Sequence, residues 1–512
     1  MPSILNYIEN NARNYPGSIA INTKETSKTY LELWRDTNSF AYSYLRNGLK
    51  LNDRVCIFTN NSYEAVIAAL GTMRAGGVFV FISPNTPLNK LEEILEDCDS
   101  SVLISNIPVA IKKEILFKIS LNHSKKEPGW SDFEEWINEK WEGALSSSEV
   151  NHIGTIIYTS GSTGHPKGII STNENILFST IAINKYLNHT SNDKILSYLP
   201  LSFDYGLYQV FLTLSAGATL YLRDSKLFVT EISNLISSES ITGLPGLRSL
   251  FGYFSHEKFK REKKFSSVRY ITNTGDALPY KMINDLMETF PNSEIYSMYG
   301  LTECKRVSYL PPTKIREKPE SVGIPLEGTS IYLLNDDGRE CIPFEQGELY
   351  VSGPNVCEGY WNNKSETQKT FIHRNGDKVL KTGDICYLDN DGYLYFVNRK
   401  DSMFKSKGYR IEPKEIENFI LKEFHELIEA VVVGIPDRLE GKKICLLGIS
   451  KNSNEVLEYK IKDHCKSMEP WKVPSKILIR ESLPLTNTGK LDRKAIVNLF
   501  VNEEELSNVN EK

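Results

Sequence analysis

The 512 residues of this chain predict an α/β fold, with a large N-terminal domain of parallel-rich sheets covered by helices and a small α+β domain after it. Three observations carry that expectation. Helical and strand patterns alternate through the first half, and short strands separated by Gly, Asn and Asp turns take over near Gly347. A compact helix–strand–strand–helix pattern then follows Asp401. One core does not grow to this length, so two domains are the natural division.

Residues 31–47 space their apolar side chains as a helix does, and residues 55–59 form an apolar run that reads as a buried strand. A second helix over 62–75 stops at Gly76 and Gly77, and a strand over 78–82 follows. Repetition of this unit builds parallel sheets, because parallel neighbours need a crossover between them. Residues 120–148 are polar and are expected to form a surface excursion. Beyond Gly347, strands are expected at 348–352, 384–388 and 393–397, the last after the turn Asn390-Asp-Gly392. A charged stretch over 398–405 precedes a helix at 412–421, strands at 430–434 and 444–449, and a helix at 455–465. The boundary falls near Asp401, giving domains 1–400 and 401–512, the second of ordinary domain size.

Composition excludes several classes. A net charge of -5 provides no general basic surface, so nucleic acid is not an expected partner. Eight cysteines without a CxxC pair argue against a zinc ribbon or a disulfide framework and fit reduced thiols. No HExxH motif occurs. The first residues lack an apolar stretch of leader length, and no window approaches the roughly 20 apolar residues of a membrane span. The expected location is the cytoplasm, away from membranes.

A strand over 155–159 runs straight into Ser160-Gly-Ser-Thr-Gly-His-Pro-Lys-Gly168. Glycines and hydroxyls at this density make a loop whose amides and side chains can wrap phosphate oxygens, and Lys167 adds a point charge. The order is not GxxxxGK[ST], because Pro166 precedes Lys167 and Gly168 follows it, so a kinase-type or GTPase-type loop is not expected.

Tyr158-Thr-Ser-Gly-Ser-Thr-Gly-His-Pro-Lys-Gly168 resembles the signature of the adenylate-forming superfamily: acyl-CoA synthetases, luciferases and the adenylation domains of nonribosomal peptide synthetases. Further motifs of that family follow in order. Tyr299-Gly-Leu-Thr-Glu303 resembles its Tyr-Gly-x-Thr-Glu segment, with Leu301 where peptide-synthetase domains usually carry Pro. Gly347-Glu-Leu-Tyr-Val-Ser-Gly353 with Gly359-Tyr-Trp361, and Lys381-Thr-Gly-Asp-Ile385, match two more. Asn398-Arg-Lys-Asp401 through Lys407-Gly-Tyr-Arg-Ile-Glu412 resembles the hinge, with Lys407 in place of the usual Arg. Asn487-Thr-Gly-Lys-Leu-Asp-Arg493 resembles the terminal motif, with Thr488 inserted. The resemblance implies a distorted β-barrel-like part in the large domain and a mobile small domain acting as a lid.

It also implies a chemistry. A carboxylate attacks the α-phosphorus of ATP, pyrophosphate leaves, and the acyl-adenylate is handed to a thiol; catalysis is positioning and charge neutralisation. In that scheme Ser160, Gly161, Ser162, Thr163, Gly164 and Lys167 hold the β- and γ-phosphates, and Thr159 and Gly300 also belong to the ATP site. Thr302 touches the α-phosphate and Glu303 holds Mg²⁺. Tyr299, Gly275, Asp276 and Ala277 line the adenine site, and Asp384 with Arg399 binds the ribose. Lys490 bridges substrate carboxylate and phosphate. Asp401 is the hinge, and Lys407 and Gly408 approach the thiol channel.

The acid is less legible. Asp204 stands where amino-acid-activating relatives carry an Asp that pairs with the substrate ammonium; it also precedes the apolar run 205–214, where an N-cap would stand. The family's other pocket positions fall on Tyr205, Tyr208, Gly243, Thr272, Thr274, Met298, Arg306 and Val307. Arg306 has two readings, a clamp on a second substrate carboxylate or an internal partner of Asp204, and the need of a buried Arg for a partner favours the second. About twenty residues follow Arg493. The acceptor is therefore expected in trans, on a phosphopantetheinylated carrier protein or as free CoA. A stand-alone amino-acid adenylation enzyme of nonribosomal peptide synthesis is the favoured reading, an acyl- or aryl-CoA ligase the nearest rival, and a noncatalytic scaffold the remaining one.

Overall fold

Residues 3–121, 128–138, 152–160, 165–224, 227–255, 264–275, 277–400, 404–406, 409–437, 441–450, 455–486 and 491–510 are those described by the computed structural model. The chain divides into two units. One comprises Met1–Tyr332, Tyr350–Thr382 and Asp391–Leu394; the other comprises Leu333–Leu349, Gly383–Asn390 and Tyr395–Lys512.

The first unit holds two large sheets. In one, the strands run in the order Gly359–Tyr360, Pro166–Thr172, Ile153–Ser160, Val78–Ile82, Arg54–Phe58, Ser100–Ser105, Phe117–Ser120 and Ser131–Asp132. Its central strands pair in parallel and are apolar on both faces, as helices covering both sides require. The helix Tyr30–Arg46 starts at a capping box: the Thr29 hydroxyl accepts the Glu32 N–H, and the Glu32 carboxylate accepts the Thr29 N–H. It buries Leu33, Phe40, Ala41 and Tyr44 against the Ser62-capped helix Tyr63–Arg74.

Residues 120–148 depart from the expected surface excursion. Their described part contains the edge strand Ser131–Asp132 and the helix Phe133–Ile137, whose Phe133 and Trp136 are buried against Phe40. Polar neighbours masked two large apolar side chains spaced three apart, which is enough for one helical turn to close a core.

The second sheet contains Glu294–Tyr299, Tyr270–Asn273, Gly243–Gly246, Lys194–Ser197 and Thr219–Leu222, all parallel neighbours. Their leading ends are tied by one ionic knot. Asp193 accepts from Arg269 Nε at 2.6 Å and Nη2 at 2.7 Å, from the Thr190 N–H and from the Thr242 hydroxyl. Burial alone would raise the Asp193 carboxyl; these donors outweigh it and leave it at about 2. Half-buried His189 bonds Tyr270 Oη through Nε2 and Asn184 Oδ1 through Nδ1, both at 2.8 Å, and desolvation of the ring lowers it to about 4. The opposite, trailing ends of these strands are left for binding, as in other open parallel sheets.

The second unit carries an antiparallel pair, Glu429–Asp437 with Gly441–Ile449, and Lys476–Arg480 parallel to the latter. Helices Pro413–Glu423, Glu455–Cys465 and Arg493–Asn510 belong to the same unit. Among the described residues, no helix is long and apolar enough to cross a membrane.

His189 and Asp193 make the fold acid-sensitive. A base held below its ordinary value stabilises the fold above about pH 6.5, and that contribution is lost as pH falls towards about 4. Asp193 adds a further loss between its ordinary value and about 2. Denaturant titrations should show stability falling by about 2–3 kcal/mol from pH 7 to pH 4 on account of His189. His189→Gln should flatten that slope, and an unchanged slope would remove His189 as its origin.

Candidate active site

The Gly/Ser loop closes a hairpin instead of leading into a helix. Ile153–Ser160 and Pro166–Thr172 are antiparallel, with Ser160 opposite Pro166, Thr159 opposite Lys167 and Tyr158 opposite Gly168. This topology separates it from strand-to-helix phosphate loops. Thr159 is half-buried beside the loop; Gly161, Ser162, Thr163 and Gly164 lie outside the described residues, as does the side chain of Ser160. The Tyr158 hydroxyl donates to Asp97 at 2.5 Å, and Trp361 donates to the Gly168 carbonyl through its N–H, anchoring both flanks.

The strand Gly359–Tyr360 pairs with the Lys167 strand, Tyr360 opposite Ile169. Lys167 Nζ lies 5.6 Å from the Tyr360 ring centre and donates to Glu366 Oε1 at 2.6 Å. That bond holds the Glu366 carboxyl below its ordinary value, burial opposing it. The Tyr360 hydroxyl donates to Glu303 Oε1 at 3.0 Å; burial first, and Glu303 second, raise its pKa. Lys167, Tyr360 and Glu303 therefore form one cluster from three distant sequence motifs.

Glu303 stands in a tight turn after the strand Glu294–Tyr299. The Val307 N–H returns to the Tyr299 carbonyl at 2.9 Å, and Lys305 closes the turn with φ 60° and with its Nζ on the Thr302 carbonyl. A Cβ at Gly300 would lie 2.1 Å from the Lys305 carbonyl oxygen, so only glycine fits. Thr302 is half-buried here, and Glu303 has no cation within ion-pair distance among the described residues.

In the second unit, Arg399 Nη1 sits 3.0 Å from the buried Asp384 Oδ1, which brings together the two residues expected at the ribose. Asp401, Lys407, Gly408 and Lys490 lie outside the described residues. The flanks of Lys490 are bridged, Leu485 opposite Leu491 and the Asp492 N–H on the Pro484 carbonyl at 2.9 Å. Gly275 and Ala277 are exposed beyond the trailing end of Tyr270–Asn273; Asp276 is outside the description.

The acid-pocket residues divide. Tyr205, Thr272, Met298 and Arg306 share one buried cluster: the Tyr205 hydroxyl meets Thr272 Oγ1 at 2.7 Å, and the Arg306 guanidinium lies 5.7 Å from the Tyr205 ring centre. Tyr186 joins them, donating to Met298 Sδ at 3.1 Å; burial pushes its hydroxyl up to about 12, with Arg306 opposing. Thr274 and Val307 are buried alongside in sequence. Tyr208 packs instead on Phe211 in the core that the two sheets share, with its hydroxyl unpartnered. Gly243 opens onto no free space, since a Cβ there would lie 2.3 Å from the Tyr270 hydroxyl.

Two readings of Asp204 are corrected. The N-cap of the helix Asp204–Ser215 is Phe203, and Asp204 is its first helical residue, accepting the Tyr205 N–H at 2.8 Å. No Asp204–Arg306 ion pair forms: Arg306 has no carboxylate partner among the described residues, and its buried Nε has no hydrogen-bond partner. Three residues of the cluster were given no role from sequence: Tyr360, Glu366 and Lys305. Tyr360 stood within a matched motif, but a pairing across sheet strands was needed to bring it to Glu303.

The family model described as AMP-binding enzyme matches residues 8–361, and the one described as AMP-binding enzyme C-terminal domain matches 415–490. Tyrocidine synthase 1 of Brevibacillus parabrevis is 26% identical over 508 residues, covering 96% of this chain and 45% of that protein. Bacitracin synthase 2 of Bacillus licheniformis is 27% identical over 497 residues, covering 95% of this chain and 18% of its own length. The chain thus spans less than half of these synthases. A long-chain-fatty-acid–CoA ligase of Bacillus subtilis is 27% identical over 544 residues, covering 98% and 94%. The structure of o-succinylbenzoate CoA synthetase from Bacillus subtilis with its acyl-adenylate intermediate superposes with TM-score 0.80 at 27% identity, covering 96% and 97%.

Gly300→Ala should cost about 3 kcal/mol or more, because a backbone carbonyl must move. Gly338→Ala, with positive φ but nothing within 4 Å, should cost only about 1 kcal/mol. Equal melting temperatures for the two variants would show that the turn has slack.

Proposed function

The chain belongs to the AMP-binding enzyme family, and on that premise we propose that it activates an amino acid as its acyl-adenylate and passes it to the phosphopantetheine thiol of a carrier protein. The reaction of the family is AMP-forming activation of an acid, with ATP and Mg²⁺ as cofactors. The residues fit that pair. Glu303 presents a hard carboxylate oxygen met only by a neutral phenol, and Thr302 a hydroxyl, which are the donors Mg²⁺ takes alongside phosphates. When bound, the ion neutralises phosphate charge. Lys167, steadied by Glu366, supplies a second positive charge at the hairpin, and Thr159 a hydroxyl. Lys490 carries the bridging ammonium, Asp384 and Arg399 hold the ribose, and Asp401 is the pivot of a lid spanning 401–512 whose Lys407 and Gly408 line the thiol channel.

The amino-acid reading rests on one observation. Asp204 is only half-buried, accepts a single N–H, from its own neighbour, and has no cation among the described residues. A substrate ammonium satisfies it. The similarity to peptide synthases supports the carrier-protein acceptor; comparable similarity over nearly all of a CoA ligase supports CoA as the second reading.

ATP–pyrophosphate exchange over amino acids and their des-amino analogues tests this. Asp204→Ala should lower kcat/KM for the amino acid by about 10²-fold and spare the analogue; equal losses would remove the ammonium role. Lys490→Ala should cut exchange by about 10²–10³-fold while leaving thiol transfer from preformed adenylate largely intact. Loss of both half-reactions together would contradict its assignment.

A further inference from the structure

We infer that Arg306 is the receptor for a second anionic group on the acid, so that the substrates are diacids, and that with Asp204 the favoured class is the amino dicarboxylic acids. This rests on the reading of the chain as an acid-activating enzyme and goes beyond it by naming the acid.

The inference starts from a charge without an anionic partner. Arg306 is 6% exposed, has no carboxylate in ion-pair range among the described residues, and leaves its Nε without an acceptor. A guanidinium cannot shed its proton to escape this, as a buried Lys can. Its surroundings offer neutral partners only: the Tyr205 ring at 5.7 Å, and the Tyr186 hydroxyl, with which it makes a side-chain hydrogen-bond contact that opposes the burial-driven rise of that phenol. Buried unpaired charge is costly, and a core optimised for stability alone would place an apolar side chain here.

The position says which anion completes it. Phosphate-binding groups converge elsewhere, on Lys167, Tyr360 and Glu303. Arg306 instead meets Tyr205, which follows Asp204 in the first turn of one helix and is bonded to Thr272, and lies near Tyr186, which is bonded to Met298. The aromatic cluster thus carries an unneutralised guanidinium over the Tyr205 ring, and Asp204, next to Tyr205 in the chain, has a carboxylate that no cation meets among the described residues. A ligand with an ammonium and a carboxylate beyond the one being activated neutralises both, and the planar guanidinium fork suits a carboxylate in two-point contact.

The test is ATP–pyrophosphate exchange by the full chain with paired acids. Aspartate and asparagine, glutamate and glutamine, succinate and succinamate, and phthalate and its monoamide are compared in wild type and in Arg306→Met. Wild type should prefer at least one diacid over its monoamide by 10²-fold or more in kcat/KM. Arg306→Met should lose 10²-fold or more on that diacid and narrow the preference below about threefold, with KM for ATP unchanged. The ligand-free Met variant should melt at or above the wild-type temperature, since an unpaired charge has been replaced by an apolar side chain. The preferred diacid should raise the wild-type melting temperature and not the variant's. Three results overturn the inference: exchange by wild type with neutral acids only, an Arg306→Met variant that loses all acids equally with a raised KM for ATP, or a ligand-free variant that melts well below wild type. Exchange with neutral acids leaves acid activation standing, whereas no exchange with any acid removes both.

Discussion

One backbone oxygen organises the active site. The Lys305 carbonyl occupies the space a side chain would need at Gly300, and around that contact the chain reverses between Tyr299 and Val307. Lys305 accepts a left-handed conformation to complete the reversal, a cost of order 1 kcal/mol or more that surrounding bonds must hold in place. Those bonds are the Val307 N–H on Tyr299, the Lys305 ammonium on Thr302, and the Asn355 side chain on the Cys304 and Arg306 carbonyls. With the turn so fixed, Thr302 and Glu303 stand at the trailing end of a parallel sheet, where strand geometry leaves room for a ligand.

The same constraint explains how three separate motifs become one cluster. The Gly/Ser hairpin belongs to one sheet and the Tyr299–Val307 turn to the other. The short strand Gly359–Tyr360 bridges them, adding to the hairpin's edge while its Tyr360 hydroxyl reaches Glu303. Cys357, just before it, donates its N–H to the Glu303 carbonyl at 2.8 Å. A neutral phenol in that place orients the carboxylate without cancelling its charge, which a lysine would do.

Much of this was legible in sequence because local rules and global fold agree. Strand 78–82 is apolar throughout and flanked by Gly76 and Gly77, and the strand forms over Val78–Ile82. The loop before Lys167 was legible as a string of unusual composition, and the segment ending at Glu303 only through its resemblance to a family motif. What sequence could not supply was pairing across distance. Tyr360 and Glu366 gain meaning only when a strand docks beside Lys167, and Tyr208, one helical turn from Tyr205, joins the core between the two sheets while Tyr205 packs on the second sheet's own cluster. Phe133 and Trp136 were hidden for a similar reason: a single buried turn has too few residues to show a period.

Glu303 and Arg306 bear opposite charge three residues apart, yet neither neutralises the other. In a flexible loop they would collapse together, since an exposed pair at that spacing gains a few tenths of a kcal/mol at little cost. The fixed reversal prevents it: Glu303 turns to Tyr360 beside the phosphate hairpin, and Arg306 to Tyr205 in the aromatic cluster. Separation of this kind costs stability in the free protein and stores two preorganised charges in one rigid element. On the proposed reading, each would meet a different part of the reacting pair, Glu303 a metal ion with its phosphates and Arg306 an anionic acid. A rigid turn that keeps the two apart suits a site holding both parts at once, since one ligand alone would leave either the buried Arg306 guanidinium or the half-buried Glu303 carboxylate without an opposite charge.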